Sequence, residues 1–327
     1  MWYGLRKLGF YVVAAWAAVT LNFLLPRLIP GNPVQVLLAR EQGQGPVSPQ
    51  EAHSLALLLG LGHGNLITQY FQYLGQILRG HFGLSITYFP TPVTTVIAHA
   101  LPWTLTLVGV STVLGAVLGV ALGTFAGWKR SAWVDGLIPS TTFLTAIPYF
   151  WLALVLLYAF GSLIHLFPLN GAYSATLQPA FTGPFIASAL YHSVLPAATI
   201  VISSVGAWLL GMRNMMVSTL AEDYVVAAEA KGLPKRRVMW GYAARNAVLP
   251  SVAGFAISLG FIVSGSIVME VVFSYPGIGY TLLQAVQNDD YPLMQGIFLI
   301  ISLAVLGANL LVDMLYGFID PRTRAAR

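Results

Sequence analysis

The chain alternates long apolar stretches with shorter polar connections. Six of the apolar stretches are long enough to cross about 30 Å of hydrocarbon as helices. They run over Leu8–Ile29, Ala100–Trp128, Leu137–Gly161, Ser193–Met212, Pro250–Val272 and Leu293–Phe318. The pattern therefore predicts an all-α, polytopic membrane protein with six transmembrane helices.

The connections between these stretches divide the chain into four parts. Short helices are predicted near Pro49–Leu61 and Leu66–Leu78, and turn-rich sequence predicts loops at Phe167–Tyr191 and Phe273–Pro292. The predicted parts are an N-terminal tail with the first span (1–29), an external loop region (30–99), a five-helix core (100–318) that contains a charged loop (213–249), and a C-terminal tail (319–327).

Composition supports the membrane assignment. The 327 residues are 57% hydrophobic and only 8% charged, whereas an ordinary soluble domain has about 25% charged residues. Cysteine is absent, which excludes disulfides and cysteine-ligated metals. The net charge of +5 could suggest nucleic-acid binding, but the distribution of the basic residues along the chain explains it by membrane topology instead.

Basic residues cluster on one side of the predicted membrane, and Arg27, Arg40 and Arg79 are the exceptions. Because short cytoplasmic loops are enriched in Lys and Arg, both termini and the charged loop are predicted to be cytoplasmic. Arg6 and Lys7 resemble the start of a signal peptide, but the length of the following apolar stretch favours an uncleaved first helix.

The most informative polar stretch is Thr219–Pro250, called the charged segment below. Thr219 and Glu222 have the spacing of a capping box, which predicts that a helix starts at Thr219. One side of this helix is predicted to carry Ala221, Val225 and Ala228, with Tyr224 beside them.

A turn divides the charged segment. Gly232 suits the positive φ that often follows a helix, and Pro234 prevents the first helix from continuing. A second short helix is predicted from Pro234 to about Arg245 and Asn246. The segment therefore predicts two short helices with an alanine-rich face outside the membrane.

Glycines recur at every fourth position of the second span. Such a stripe lets another helix approach closely, and packing within the chain and a seam between two subunits are both open interpretations. The residues are Gly115, Gly119, Gly123 and Gly127.

Catalytic motifs are missing from the sequence. It has no G-x-x-x-x-G-K-[ST] phosphate loop, no H-E-x-x-H motif and no G-x-S-x-G nucleophile elbow. The six histidines lack metal-ligand spacing, so the chain is predicted to bind neither a metal nor a cofactor. We therefore expect a chain that is not an enzyme and depends on another polypeptide for energy.

Few ionisable residues lie inside the predicted spans. Glu270 shares the fifth span with Ser258, Ser264 and Ser266, and these four residues are candidates for a polar translocation path. The alternatives are that Glu270 anchors the end of its helix and that the serines bond to their own helix backbone.

Short motifs along nearly the whole chain resemble those of ABC-importer permeases. The run Ala227–Leu233, followed by Arg245–Pro250, is similar to the EAA loop of that family. Further similar motifs are Pro30–Pro33, Phe82–Ser85 with Thr91–Val93, Phe273–Gly279 and Asp320–Arg322. Together they resemble the B-type subunit of the dipeptide/oligopeptide/nickel permeases. Departures from the family pattern are Val226 in place of Glu, Asn32 in place of Asp and Asp289 in place of Arg.

The resemblance implies a type I ABC-importer permease fold in the bacterial cytoplasmic (inner) membrane. It implies a second, C-type permease, two ATP-binding subunits that carry ATP and Mg²⁺, an external solute-binding protein and membrane lipid as partners, and no nucleic acid. Ala227 and Ala228 would let the ATPase approach closely, and Gly232 would form the turn. The other residues in the following list would make further contacts with the ATPase. The residues implied in coupling are Tyr224, Ala227, Ala228, Glu229, Lys231, Gly232, Leu233 and Arg236.

The sequence also leaves other functions open. Similar subunits import nickel complexes or oligosaccharides instead of peptides. A self-powered secondary carrier would need an intramembrane ion site or an inverted repeat, and a membrane-embedded enzyme would need a nucleophile and a base within the spans. The sequence shows neither feature, which favours the importer.

Overall fold

The computed structural model describes residues 2–28, 65–129, 136, 143, 146–262 and 267–319. Several predictions therefore lie outside the described residues, namely the helix near Pro49–Leu61, the motifs Pro30–Pro33 and Asp320–Arg322, and Ser264 and Ser266. Within the described ranges the chain is helical apart from its loops, and an isolated β-bridge joins Leu84 and Pro92.

Eleven helices follow one another along the described chain. They are α1 (Trp2–Leu28), α2 (Leu66–Leu78), α3 (Val93–Trp128), α4 (Tyr149–Leu156), α5 (Gly183–Thr219), α6 (Asp223–Ala230), α7 (235–247), α8 (Leu249–Ile262), α9 (Ile267–Val272), α10 (Ile278–Gln287) and α11 (Tyr291–Ile319). Two of them include π-helical turns. Helix α4 continues as a π-helix over Leu157–Leu163, and α7 is α-helical over Lys235–Arg237, π-helical over Val238–Ala244 and α-helical over Arg245–Ala247.

Every predicted span contains a helix, which confirms the all-α, polytopic prediction. Among the described residues, Val93–Trp128, Gly183–Thr219 and Tyr291–Leu310 are long and apolar enough to cross a membrane alone. Shorter apolar helices mark the other spans at Gly9–Leu24, Tyr149–Leu163 and Leu249–Leu259.

Some predicted boundaries are wrong. The predicted loop Phe273–Pro292 contains all of α10, because Ile278, Leu282 and Ala285 form one buried side of a helix. This i, i+4, i+7 spacing was visible in the sequence, but the flanking Pro and Gly obscured it.

Two other boundaries also move. The predicted loop Phe167–Tyr191 ends at Thr182, since α5 begins at Gly183 with Pro184 in its first turn, where proline is well tolerated. The predicted span Leu137–Gly161 is interrupted by a bend at Ile147 and Pro148, after which α4 begins.

The described chain forms two compact units. The first contains α1, α2, the start of α3, α10 and most of α11. Its core joins three of these helices, and the buried residues are Val93, Ile97 and Ala100 of α3, Ile278, Leu282 and Ala285 of α10, and Leu293 and Ile297 of α11.

A buried carboxylate organises the polar part of the first unit. Asp290 is fully buried and accepts hydrogen bonds from the Ser85 hydroxyl, the Thr87 N–H (2.8 Å) and the Leu293 N–H (3.1 Å). The last bond caps the N-terminus of α11. Burial raises the pKa of the Tyr88 hydroxyl, and Tyr280 and the Asp290 carboxylate raise that pKa further.

The second unit contains the rest of α3 and the helices α4 to α9. The charged segment and the glycine stripe both belong to it, so the candidate site lies within one unit.

Candidate functional site

The charged segment is carried by the end of α5. This helix has 37 residues, about 55 Å of length at 1.5 Å per residue, whereas a span needs only about 20 residues. At this end the helix continues through Thr219, beyond the predicted end of the span at Met212, so its last turns lie outside the predicted span.

The capping box predicted at Thr219 is wrong. Thr219 is the last residue of α5 and is buried, so its backbone is helical and cannot act as an N-cap. Glu222 takes the N-cap position of α6 with extended backbone angles (φ −77°, ψ 141°), and its side chain makes no capping hydrogen bond. Ala221 precedes α6 and is exposed, so it does not belong to the predicted apolar side.

The other two residues of the predicted apolar side of α6 are buried, as predicted. Val225 and Ala228 are 1% and 3% exposed and pack against Val238 of α7. Trp128, Leu220, Leu233 and Tyr242 surround this cluster. One side of the short helix α6 is therefore fixed to the rest of the unit.

The turn after α6 is a Schellman motif. Gly232 has the predicted positive φ (+74°), its N–H bonds the Glu229 carbonyl (2.9 Å), and the Leu233 N–H reaches the Ala228 carbonyl (3.4 Å). Leu233 also packs beside Ala228, which is the apolar contact that usually accompanies this motif. The turn sets the direction in which the chain enters α7.

The predicted second helix is α7. It begins after Pro234, which is its N-cap, and ends at Ala247. Four α7 residues pack against Met212 and Met216 of α5, and all six side chains are buried. The α7 residues are Met239, Ala243, Ala244 and Ala247.

The glycine stripe packs α3 onto the same part of α5. A Cβ at Gly119 would lie 2.8 Å from the Val205 carbonyl oxygen, and one at Gly123 would lie 2.8 Å from the Met212 Cβ. The stripe therefore packs within this chain, the first of the two interpretations.

Two methionines of α5 lie between small residues on both sides. Gly123 and Gly127 of α3 leave room for Met212 and Met216, and alanines of α7 cover the same two methionines. This arrangement is called the methionine layer below. It links the charged segment to two long apolar helices of the unit.

The structure separates the predicted coupling residues into exposed and buried groups. Ala228 is buried and Leu233 is partly buried, so neither forms the outer surface of the segment. The exposed residues are Tyr224, Ala227, Glu229, Lys231, Gly232 and Arg236.

Sequence reasoning missed two residues of the exposed side of α6. Val226 is 53% exposed and Ala230 is exposed, and both face away from Val225 and Ala228. The helical period contained this signal, since residues one and two positions after a buried residue turn away from the core.

Of the four candidate path residues, the structure describes Ser258 and Glu270. The Ser258 hydroxyl donates to the Phe255 carbonyl of its own helix (2.7 Å), which is the backbone alternative. Glu270 is fully buried in α9, and its carbonyl accepts a hydrogen bond from the Tyr275 N–H (2.7 Å). No cluster of three His, Asp or Glu residues suited to a metal occurs among the described residues.

An open apolar groove lies between α5 and α8. Its volume is about 430 Å³. It is lined by Ala207, Trp208, Gly211, Met215, Pro250 and Ser251.

Comparison with known proteins identifies relatives over nearly the full chain. Residues 119–325 match the family described as binding-protein-dependent transport system inner membrane component. The chain is 32% identical to the Di/tripeptide transport system permease protein DppB of Pseudomonas aeruginosa, with 98% of each chain covered. It is 30% identical to the Oligopeptide transport system permease protein AppB of Bacillus subtilis (92% of each) and to the Dipeptide transport system permease protein DppB of Escherichia coli (98% of each).

Proposed function

The chain belongs to the family of binding-protein-dependent transport system inner membrane components, and on this premise we propose that it is the permease subunit of an ATP-driven peptide importer. Peptides are favoured over nickel complexes and oligosaccharides because these three relatives, each covered over more than nine-tenths of its length, are named for di-, tri- and oligopeptides. A self-powered carrier is disfavoured for the same reason.

The observation that carries the coupling role is the two-sided packing of α6. Its exposed side, with Val226, Ala227 and Ala230, is free to enter a groove on a partner. Its other side is held by Val225 and Ala228 against α7. A partner that grips the outer side would therefore move α6 and α7 together.

The methionine layer gives this motion a route into the membrane helices. A displacement of α7 would press on Met212 and Met216, and through them on α5 and on the glycines of α3. Packed interiors resist compression, so such a push moves helices rather than deforming side chains. The result would be the alternating-access motion of the permease.

The partners follow from the same proposal. Of the two ATP-binding subunits, which carry ATP and Mg²⁺, one would dock on the charged segment of this chain. A second permease would complete the path for a peptide delivered by a solute-binding protein. The segment and both termini would be cytoplasmic, because Lys235, Arg236, Arg237 and Arg245 are concentrated there.

Cross-linking tests the proposed docking surface directly. The chain has no cysteine, so a single introduced thiol gives a unique site. In the complex assembled with its ATPase subunits, A227C should cross-link to the ATPase, while the buried neighbour A228C should not. Equal cross-linking of both variants, or of neither, would contradict the proposed orientation of α6.

Reconstitution tests the transport role. In proteoliposomes, the complete complex with its solute-binding protein should take up peptide only when ATP is present on the ATPase side. Gradient-driven peptide uptake by this chain alone would instead establish a secondary carrier.

A further inference from the structure

Helix α2 is a short helix that packs on one end of α1. Tyr70 shares a hydrogen bond with the Thr20 hydroxyl (2.7 Å), and the Tyr73 hydroxyl accepts one from the Asn22 amide (3.1 Å). The ring of Phe23, 3% exposed, lies 5.2 Å from that of Tyr70. Asn22 in turn exchanges hydrogen bonds with Gln295 of α11 (2.7 and 3.0 Å). The position of α2 on the spanning helices is therefore well defined.

The surface of α2 has three different sides. The side that carries Tyr70 and Tyr73 packs on α1. A second side is polar and exposed, and it consists of Thr68, Gln72 and Gln76. The third side is apolar and equally exposed, with Ile67, Phe71 and Leu78 at 64%, 65% and 88% of their full accessibility.

The point of attachment lies near one edge of the membrane. Thr20 and Phe23 are 13 and 16 residues beyond Lys7 in α1, which is about 20–24 Å along the helix axis. The hydrocarbon core is about 30 Å thick, so with Lys7 at one interface α2 lies close to the opposite one.

We propose that α2 lies in the membrane interface, with Ile67, Phe71 and Leu78 inserted among lipid acyl chains and Thr68, Gln72 and Gln76 facing water. The absence of any charged residue from Leu66 to Leu78 suits this depth, where a helix buries its apolar side about 5–10 Å below the headgroups.

Lipid is favoured as the occupant because the apolar side of α2 continues the surface of a spanning helix. α1 exposes Trp16 (58%) and Leu24 (38%), and side chains exposed on a membrane span face lipid. The phenol groups of Tyr70 and Tyr73 are also of the type that concentrates at membrane interfaces. The side chains of α2 would thus anchor the end of α1 and fix its depth.

Spin labels can locate each side of α2 in the full complex in lipid nanodiscs. Labels on F71C and L78C should be more accessible to oxygen, which concentrates in lipid, than to a water-soluble nickel chelate, as a W16C label on α1 should be. The matched variant Q72C, one position along the same helix, should show the opposite preference.

Two outcomes would overturn the proposal. A label at Phe71 with the same preference for the nickel chelate as one at Gln72 would place the apolar side in water. A Phe71 label shielded from both reagents, while the Gln72 label stays accessible, would show that protein covers this side: a partner subunit or another part of this chain.

Discussion

The Ser85 hydroxyl donates a buried hydrogen bond to the Asp290 carboxylate, although the two residues are 205 positions apart in the chain. Ser85 belongs to the connection before α3, whereas Asp290 caps α11. Both residues lie in or beside motifs that resembled the permease family when only the sequence was considered. The structure shows why they go together: the carboxylate is the shared acceptor that joins two connections of the first unit.

Removing the Asp290 carboxylate should destabilise this unit. Asp290→Ala leaves the Ser85 hydroxyl and the Thr87 N–H without their acceptor, at a cost of about 1–3 kcal/mol for each buried donor left unsatisfied. The midpoint of thermal unfolding of the purified complex in nanodiscs should fall. Asp289→Asn is the matched control, because Asp289 is exposed and its positive φ (+52°) is one that asparagine adopts readily. An equal loss for both variants would argue against the buried cluster as the cause.

A destabilising substitution at Gly115 should be rescued by a second substitution at Ser204. A Cβ at Gly115 would overlap the Ser204 hydroxyl oxygen, while the Ser204 Cβ would remain at 3.7 Å, an ordinary distance. Gly115→Ala should therefore lower stability by about 1–3 kcal/mol, the typical cost of overpacking. Adding Ser204→Ala should restore most of the loss in the same thermal assay.

Gly119, the next glycine of the stripe, should not be rescued in this way. A Cβ at Gly119 would meet the Val205 backbone oxygen, which no side-chain truncation removes, so Gly119→Ala should not be rescued by Ser204→Ala. Gly211→Ala should be neutral, since a Cβ there meets nothing within 4 Å. Rescue of Gly119→Ala by the serine substitution would mean that α3 and α5 pack differently.

Gly232 should tolerate asparagine but not valine. A Cβ at this position meets no atom within 4 Å, so the cost comes from its positive φ of +74°, which β-branched residues avoid and asparagine accepts. Gly232→Val should abolish ATP-dependent uptake while the chain stays in the membrane at its normal level, because the turn that orients α6 and α7 is lost. Gly232→Asn should retain most of the uptake. Normal transport by the valine variant would show that this turn does not set the coupling geometry.

Leucine at the two neighbouring alanines of α6 should give different defects. Ala228→Leu forces extra volume into a buried cluster and should destabilise the segment by about 1–3 kcal/mol, seen as faster proteolysis near α6 in the isolated chain. Ala227→Leu changes only the exposed side and should leave proteolysis unchanged while weakening binding to the ATPase subunits. Similar proteolysis of the two variants would contradict the assignment of sides.

The helical periodicity and the length of the apolar stretches predict the helices well where tertiary packing does not compete with these local signals. Leu66–Leu78 was predicted with the bounds the structure has, and all six apolar stretches contain helices. Where the predicted helix boundaries are wrong, tertiary packing overrides the local sequence. Thr219 has the local sequence of an N-cap, but it is buried at the end of α5, so the longer helix wins over the local signal.

The candidate site was predicted in part. The sequence predicts the turn at Gly232 and predicts that Val225 and Ala228 lie on the same side of a helix. Both predictions follow from the order of residues within a few positions of each other. It could not show that Met212 and Met216 would meet α7, because that contact joins residues of two helices whose pairing has no local signature. The family pattern marks the exposed Val226 only as a departure, whereas the helical period alone turns this residue outward.

The methionine layer also constrains how this sequence can change over evolutionary time. Gly127 packs against Met216, and the buried Ala243 belongs to the cluster that contains the same methionine, so residues of three helices share one buried volume. A Cβ at Gly127 would overlap the Met216 Cβ, which every residue except glycine carries. In homologous chains, a larger residue at the position of Gly127 should therefore appear together with glycine at that of Met216, and a larger residue at Ala243 should appear together with a smaller one elsewhere in the cluster. Residues more than a hundred positions apart would therefore vary as one unit.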